Sequence, residues 1–311
     1  MSRNLTFGPN TTAAEVLSGI DLSGKRVLIT GGSGGLGAAT AQALAARGAD
    51  VTITARDARK AEDVARAVKG NEPRVEHLEL GSLASVRACA ERYLAKPGAL
   101  DILINNAAVM ACPHEHTADG FERQLGTNHL GHFLLTNLLA PKLAHGARIV
   151  MLSSAAHHAS PVVFDDLQFE RRPYDKWQAY GQSKTANALF AVALSKRLAA
   201  RAIEGFSVHP GMIVTELMRY QGEEGMALAQ RLRDTGKMAF KTIEAGIATT
   251  LYAATAPELA GHGGAYLADC GIAPVSATER DFRYVRPYAL DAAFAEQLWA
   301  VSEKLVGQRF A

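Results

Sequence analysis

Tyr180 and Lys184 stand four residues apart in Ala-Tyr-Gly-Gln-Ser-Lys, a spacing that puts both side chains on one face of a helix. An ammonium beside a phenol favours the charged form and lowers its pKa, so Tyr180 is a candidate proton donor or acceptor with Lys184 as its tuner. Ser153 and Ser154 follow Arg-Ile-Val-Met-Leu, which reads as a buried strand, and so leave that strand at its carboxyl end. One of these hydroxyls can donate to a carbonyl oxygen while negative charge develops on it. Asn128, in Asn-His-Leu-Gly-His, is a candidate holder of a water between Lys184 and solvent. Taken singly, each residue has an ordinary explanation: helix surface, a turn cap, a buried hydrogen-bonding amide. Their order behind a glycine-rich turn is what points to chemistry.

That turn, Thr30-Gly-Gly-Ser-Gly-Gly-Leu-Gly37, lies between the apolar run Val-Leu-Ile and an alanine-rich helical stretch, Leu36 to Arg47. Strand, turn and helix in this order suit a pyrophosphate. Glycines let it approach the backbone, and the helix start offers N–H groups and the positive end of its dipole. Gly31, Ser33, Gly34, Gly35, Leu36 and Gly37 are therefore candidate dinucleotide contacts. The turn lacks the Gly-Lys-Ser/Thr ending of a triphosphate loop, which argues against a kinase or ATPase. After the second strand, Val51 to Ala55, Arg56 stands where a carboxylate would meet free ribose hydroxyls. A guanidinium there pairs with a 2′-phosphate, so NADP(H) is expected over NAD(H). The alternative is a solvated Arg56 with Asp57 on the ribose. Asn105-Asn106-Ala107-Ala108 follows the fourth strand, where small residues leave room for the nicotinamide ribose.

Positioning these groups requires alternating strands and helices. The pattern predicts strands over 25–30, 51–55, 75–80, 101–105, 148–152, 206–208 and 265–267, with helices over 36–47, 58–69, 86–94, 244–254 and around Tyr180. Such alternation gives an α/β fold with a parallel sheet covered on both faces. Thr12 and Glu15 match a capping box for a short helix within an N-terminal extension, 1–24. No linker rich in Pro, Gly and Ser divides the 311 residues, so one domain is expected. Accessory pieces at 157–176 and 212–241 interrupt the alternation at strand ends, where open α/β sheets bind ligands.

With a net charge of +2 and no basic motif, nothing suggests a nucleic-acid surface. The start, Met-Ser-Arg, leads into a polar segment without a secretory apolar core, and Phe133 to Leu143 is too short to span a membrane. Three widely spaced cysteines, Cys89, Cys112 and Cys270, read as reduced thiols, so a cytoplasmic location is expected. His157, His158 and His209 have no carboxylate partners at ligand spacing, so no metal is expected.

On the glycine turn, Asn105-Asn-Ala107, Asn128-His-Leu-Gly-His132, Ser154, Tyr180-Gly-Gln-Ser-Lys184 and His209-Pro-Gly211, the chain resembles the short-chain dehydrogenases/reductases over almost its whole length. Within them it resembles the group of retinol dehydrogenases and the oxidoreductase domain of WW-domain oxidoreductases. The resemblance implies a seven-stranded, doubly wound Rossmann sheet and reversible alcohol/carbonyl chemistry without metal. It implies Asn128, Ser154, Tyr180 and Lys184 as a catalytic tetrad. It extends the cofactor contacts to Glu79, Leu80, Asn106, Ala107, Ala108, Pro210, Gly211, Ile213 and Thr215, together with Tyr180 and Lys184. It also implies a homo-dimer or homo-tetramer formed through helices flanking the sheet. Three positions depart from the pattern: Ala108 where glycine is usual, Glu79 for aspartate, and Gly34 where some NADP(H)-preferring members carry a basic residue.

The segment after Gly211 is rich in Met212, Ile213, Val214, Leu217, Met218, Tyr220, Met226 and Leu228, consistent with an apolar cover over a lipophilic carbonyl or alcohol. An ordinary core-facing helix explains much of the same pattern. Two other functions stay open: reduction of an activated carbon–carbon double bond, and a dinucleotide-sensing or scaffold role without turnover.

Overall fold

The structure is a computed structural model that describes residues 7–222 and 240–310, with Ala227, Gln230, Arg231, Asp234 and Thr235 between them. Met1, Ser2, Arg3, Met226 and Leu228 of the sequence reading lie outside the described residues.

Helices cover both faces of the sheet, so its central strands are apolar on both faces. Residues 27–30 of β1 (Arg26–Thr30) and 51–55 of β2 (Asp50–Ala55) are all buried. The edge strand β3 (Arg74–His77) is not. The parallel set continues through β4 (Leu100–Asn105), β5 (Leu143–Leu152), β6 (Glu204–His209) and β7 (Tyr266–Ala268). The order is β3-β2-β1-β4-β5-β6-β7, with a two-residue antiparallel strand, β8 (Gly271–Ile272), added at the far edge. The expected seven parallel strands are present, and β8 is extra. It is too short to leave a periodic trace. Its turn, Asp269-Cys270, holds two non-glycine residues at positive φ, 50° and 58°. Lys241 Nζ on the Asp269 carboxylate (2.5 Å) and the Thr249 hydroxyl accepting from Cys270 N–H (3.2 Å) hold that turn.

One face is covered by α1 (Ala13–Val16), α2 (Gly35–Ala45), α3 (Ala58–Ala67) and α8 (Ile243–Thr255). The other carries α4 (Leu83–Leu94), α6 (Gly131–Leu139), α7 (Lys176–Arg197) and α9 (Ala292–Val306). The Thr12–Glu15 capping box forms as expected: Thr12 N–H donates to Glu15 Oε2 at 2.7 Å, and Glu15 N–H to Thr12 Oγ1 at 3.3 Å. A short α5 (Arg123–Leu125) runs through a π turn, Gly126–Leu130, into α6. The stretch α5–α6 and helix α9 fall where the sequence pattern assigns no element.

Strand order reverses between β1 and β4, so the loops leaving these neighbours diverge and open a crevice at the carboxyl ends of the strands. β3 stops three residues before its expected end. Leu78 N–H still reaches Ala55 O (3.0 Å), after which Glu79 turns the chain by accepting from Gly81 N–H (2.9 Å). The crevice is a cavity of about 1090 Å³.

Candidate active site

The glycine turn forms the floor of the cavity. Gly31 N–H and Gly32 N–H both donate to Thr54 O (2.9 and 3.0 Å), which anchors the turn on β2. A Cβ on Gly37 would lie 2.2 Å from Gly31 O, so only glycine lets α2 start this close to β1. The N–H groups of Leu36 and Gly37, in the first turn of α2, have no protein acceptor among the described residues. The neighbouring wall is fixed by Thr30. Its Oγ1 accepts from Asn106 N–H (2.9 Å) and Ala107 N–H (3.0 Å), while Asn106 Nδ2 donates to Thr30 O (2.8 Å). With both acceptor positions used, the Thr30 proton points to His132 Nε2 (2.8 Å), so His132 carries its proton on Nδ1 and donates it to Asn128 O (2.9 Å). Burial pushes the His132 pKa down to about 4, in keeping with this neutral form. Ala108 needs no positive φ; the left-handed residue of this loop is Ala111, at 50°.

Every residue named above as a candidate cofactor contact, from Gly31 to Thr215, borders this one cavity, as do Ser154, Tyr180 and Lys184. A bare glycine floor, free amide donors and a long cavity fit an extended dinucleotide. Asn128 is the exception among the candidate site residues. It is fully buried behind the wall, in the π turn, with Oδ1 accepting from Val109 N–H (2.8 Å) and Nδ2 donating to Val109 O (2.9 Å) and Ser183 Oγ (3.0 Å). Its amide therefore ties the loop after β4 to α7.

The two serines separate cleanly. Ser153 is buried and donates its hydroxyl to Lys184 O (2.8 Å). Ser154 caps the next turn by accepting from Ala156 N–H (3.1 Å) and also hydrogen-bonds the Tyr180 phenol at the cavity wall. Lys184 is 2 % exposed, lies 5.4 Å from the Tyr180 ring centre and donates to Leu152 O (2.9 Å). Burial pushes its pKa down to about 7. Burial also pushes the Tyr180 phenol well above its ordinary value, and a hydrogen bond with Ser154 opposes this only in part. The expected lowering by Lys184 is not seen here: desolvation sets the direction, and the opposing contribution comes from Ser154.

At the far end of the cavity, Asp57 caps α3 through Lys60 N–H (3.2 Å), and Arg56 pairs with Glu79 at 3.6 Å. On the reacting side, Met110, Trp177, Met212, Leu217, Met218 and Phe282 give an apolar lining. Trp177 and Phe282 were not legible as site residues. Phe282 comes from the C-terminal segment, which His157 fastens in place. His157 Nδ1 donates to Ser154 O (2.8 Å) and Nε2 accepts from Arg286 N–H (3.1 Å). Among the described residues no group of three or more His, Cys, Asp or Glu could hold a metal ion, and no helix is long and apolar enough to cross a membrane.

Residues 25–225 match the short chain dehydrogenase family. Retinol dehydrogenase 12 of Homo sapiens is 42% identical over 297 residues, covering 94% of this chain and 89% of that protein. A solved structure of an uncharacterised protein from Mycobacterium paratuberculosis superposes with a TM-score of 0.74 at 37% identity, over 97% of this chain and 99% of that one. A short chain dehydrogenase from Burkholderia cenocepacia, solved in complex with NADP, has a TM-score of 0.64 at 28% identity, over 80% of this chain and 97% of its own. Sequence, sheet order and cavity agree: the chain belongs to the short-chain dehydrogenase family and is an NAD(P)-dependent oxidoreductase that works by hydride transfer.

Proposed function

We propose that the protein interconverts a lipophilic carbonyl compound and its alcohol with NADP(H), using Tyr180 as acid and base. The observation that carries this reading is the opening of Ser154, Tyr180 and Lys184 into the same cavity as the glycine turn, beside an apolar wall. When bound, the dinucleotide supplies or accepts the hydride at the substrate carbon. Ser154, beside Tyr180 on the cavity wall, turns its hydroxyl to the substrate oxygen and steadies the charge that builds there. Tyr180, held protonated by burial, gives its proton to that oxygen as the carbonyl becomes an alcohol, and takes one back in reverse. Lys184 holds the nicotinamide ribose hydroxyls, and Asn128 fixes the loop and helix that frame the site.

The preference for NADP(H) is supported by Arg56 on the cavity wall and by the use of one Asp57 oxygen as a helix cap. The Burkholderia relative solved with NADP agrees with it. The apolar wall and the similarity to retinol dehydrogenase 12 support a lipophilic substrate. We read 1–311 as one domain, because a single sheet runs from residue 26 to residue 272 and α9 packs back onto the helices α6 and α7 that cover it, with 1–24 as an extension and 212–241 as the substrate-side segment. Three buried free cysteines support a reducing, cytoplasmic setting. A homo-dimer or homo-tetramer would need a face other than that of α6 and α7, which α9 already covers. The test is turnover of a series of aldehydes and ketones of rising chain length, followed by loss of reduced-nicotinamide absorbance. The reading predicts kcat/KM rising with apolar length and a clear advantage for NADPH over NADH. Tight cofactor binding with no turnover of any member would overturn it.

A further inference from the structure

A second cavity, of about 310 Å³, opens at the amino ends of β1, β2 and β3, the opposite end of the sheet from the glycine turn. Four cations border it, Arg26, Arg74, Lys96 and Lys142, against one carboxylate, Asp50. Asp50 is taken by Arg74 (2.8 and 3.0 Å) and stands 3.8 Å from Arg26 Nε. The Arg26 guanidinium thus has no hydrogen-bond acceptor among the described residues. Lys96 is held from outside the cavity by Glu76 (2.6 Å), which also pairs with Arg92. Lys142 closes the end of α4 on the carbonyls of Leu94 and Lys96. Even with Glu76 counted, the four cations face only two carboxylates, and Arg92 shares the second.

The walls are built for an occupant. A Cβ on Gly98, at φ 81°, would run into the Arg26 guanidinium, so bare backbone seats it. Two hydroxyls line the cavity, those of Tyr93 at 5% exposure and Thr52 at 2%, and neither has a hydrogen-bond partner among the described residues. Val51 and Ile53 pack into the opposite core, so Thr52 points to this side of the sheet. The charges of Asp50, Arg26, Arg74 and Asp101 all act on the Tyr93 phenol, which places its hydroxyl end at the cavity. Burial pushes its pKa up to about 12, so it is a donor at neutral pH. Buried hydroxyls without partners are costly unless something in the cavity bonds them. Water answers the hydroxyls and leaves the excess positive charge; an anion answers both. Guanidinium forks match the paired oxygens of a phosphate, and the volume is at the lower end for small-molecule pockets.

We propose that this cavity is a second ligand site, which binds a small phosphate monoester through Arg26 and Arg74 on its phosphate oxygens and the Tyr93 and Thr52 hydroxyls on the rest. Lys96 and Lys142 add positive charge around it. β1 and β2 run from this site to the glycine turn and to Arg56, so the ester and the dinucleotide sit at opposite ends of the same strands and bind together.

The test titrates glycerol phosphate, inorganic phosphate and succinate by calorimetry into protein saturated with NADP+, which keeps phosphate out of the dinucleotide cavity. Wild type, Tyr93→Phe and Arg74→Gln are compared in phosphate-free buffer. Glycerol phosphate is expected to bind the wild type with a Kd of about 1 mM or tighter, inorganic phosphate within about tenfold of that, and succinate at least about tenfold more weakly. Arg74→Gln is expected to weaken glycerol phosphate by about tenfold or more, and Tyr93→Phe by about fivefold. Without phosphate, Tyr93→Phe should unfold in denaturant as the wild type does, because its hydroxyl bonds no protein group. No saturable binding in the wild type, or binding that both variants keep unchanged, overturns the site. Succinate binding as tightly as glycerol phosphate overturns the assignment to phosphate. A loss of stability in Tyr93→Phe without phosphate overturns the reading of that hydroxyl as held for a ligand.

Discussion

Lys184 and Tyr180 show how burial sets the chemistry of single groups. An amine whose pKa falls from 10.5 to about 7 on folding is charged in the unfolded chain and neutral in the folded one between those values. The unfolded state then binds more protons, so this group makes stability rise with pH across that window and lowers it most fully below pH 7. Denaturant unfolding of the cofactor-free protein between pH 7 and pH 9 is expected to show wild-type stability gaining on Lys184→Met as pH rises. A constant gap would mean that the ammonium stays charged inside the fold. At this scale the sequence was informative about identity and less so about surroundings. Tyr180, Lys184 and Ser154 were legible from type and spacing, whereas Ser153 could be set aside only once its hydroxyl was seen donating to Lys184 O. The direction of the Tyr180 shift was not legible either, because desolvation depends on everything packed around the phenol.

At the scale of elements, the turn between β1 and α2 was the clearest signal, because close backbone approach leaves glycine as its only solution. Gly37→Ala would place a methyl 2.2 Å from Gly31 O, a backbone atom of a turn that Gly31 N–H anchors on β2. The expected result is a loss of about 1–3 kcal/mol in stability and at least about tenfold weaker cofactor binding, read by calorimetry. The π turn Gly126–Leu130 was not legible, since the stretch is buried almost all round and has no one-sided apolar pattern for the extra residue to shift. It places Asn128 and His132 so that one amide, one imidazole and one carbonyl join the loop after β4, α7 and the glycine turn. His132 was visible in the sequence only as part of a motif. Its role emerged from Thr30, 102 positions away in the chain.

At the scale of the whole molecule, α9 closes one face. Trp299 packs edge-on against Phe133 (5.1 Å between ring centres) and lies under the Arg197 guanidinium, while Ser302 bonds His129 in the π turn. This docking is not legible from residue type and spacing, because an amphipathic helix does not name its partner. Trp299→Ala is expected to cost about 3–5 kcal/mol in denaturant unfolding, through the lost aromatic packing. A cost below about 1 kcal/mol would mean that α9 is a loosely held appendage. The molecule as a whole is an arrangement for bringing the carboxyl ends of β1, β4, β5 and β6 around one cavity, with Tyr180 on its wall. Single-turnover reduction of a lipophilic aldehyde, with deuterium at the transferring position of NADPH, probes that arrangement most directly in the wild type and Tyr180→Phe. Deuterium on the product carbon, with a rate at least about a thousandfold lower in Tyr180→Phe at unchanged cofactor affinity, is the predicted result. Full-rate deuterium transfer by Tyr180→Phe would contradict it.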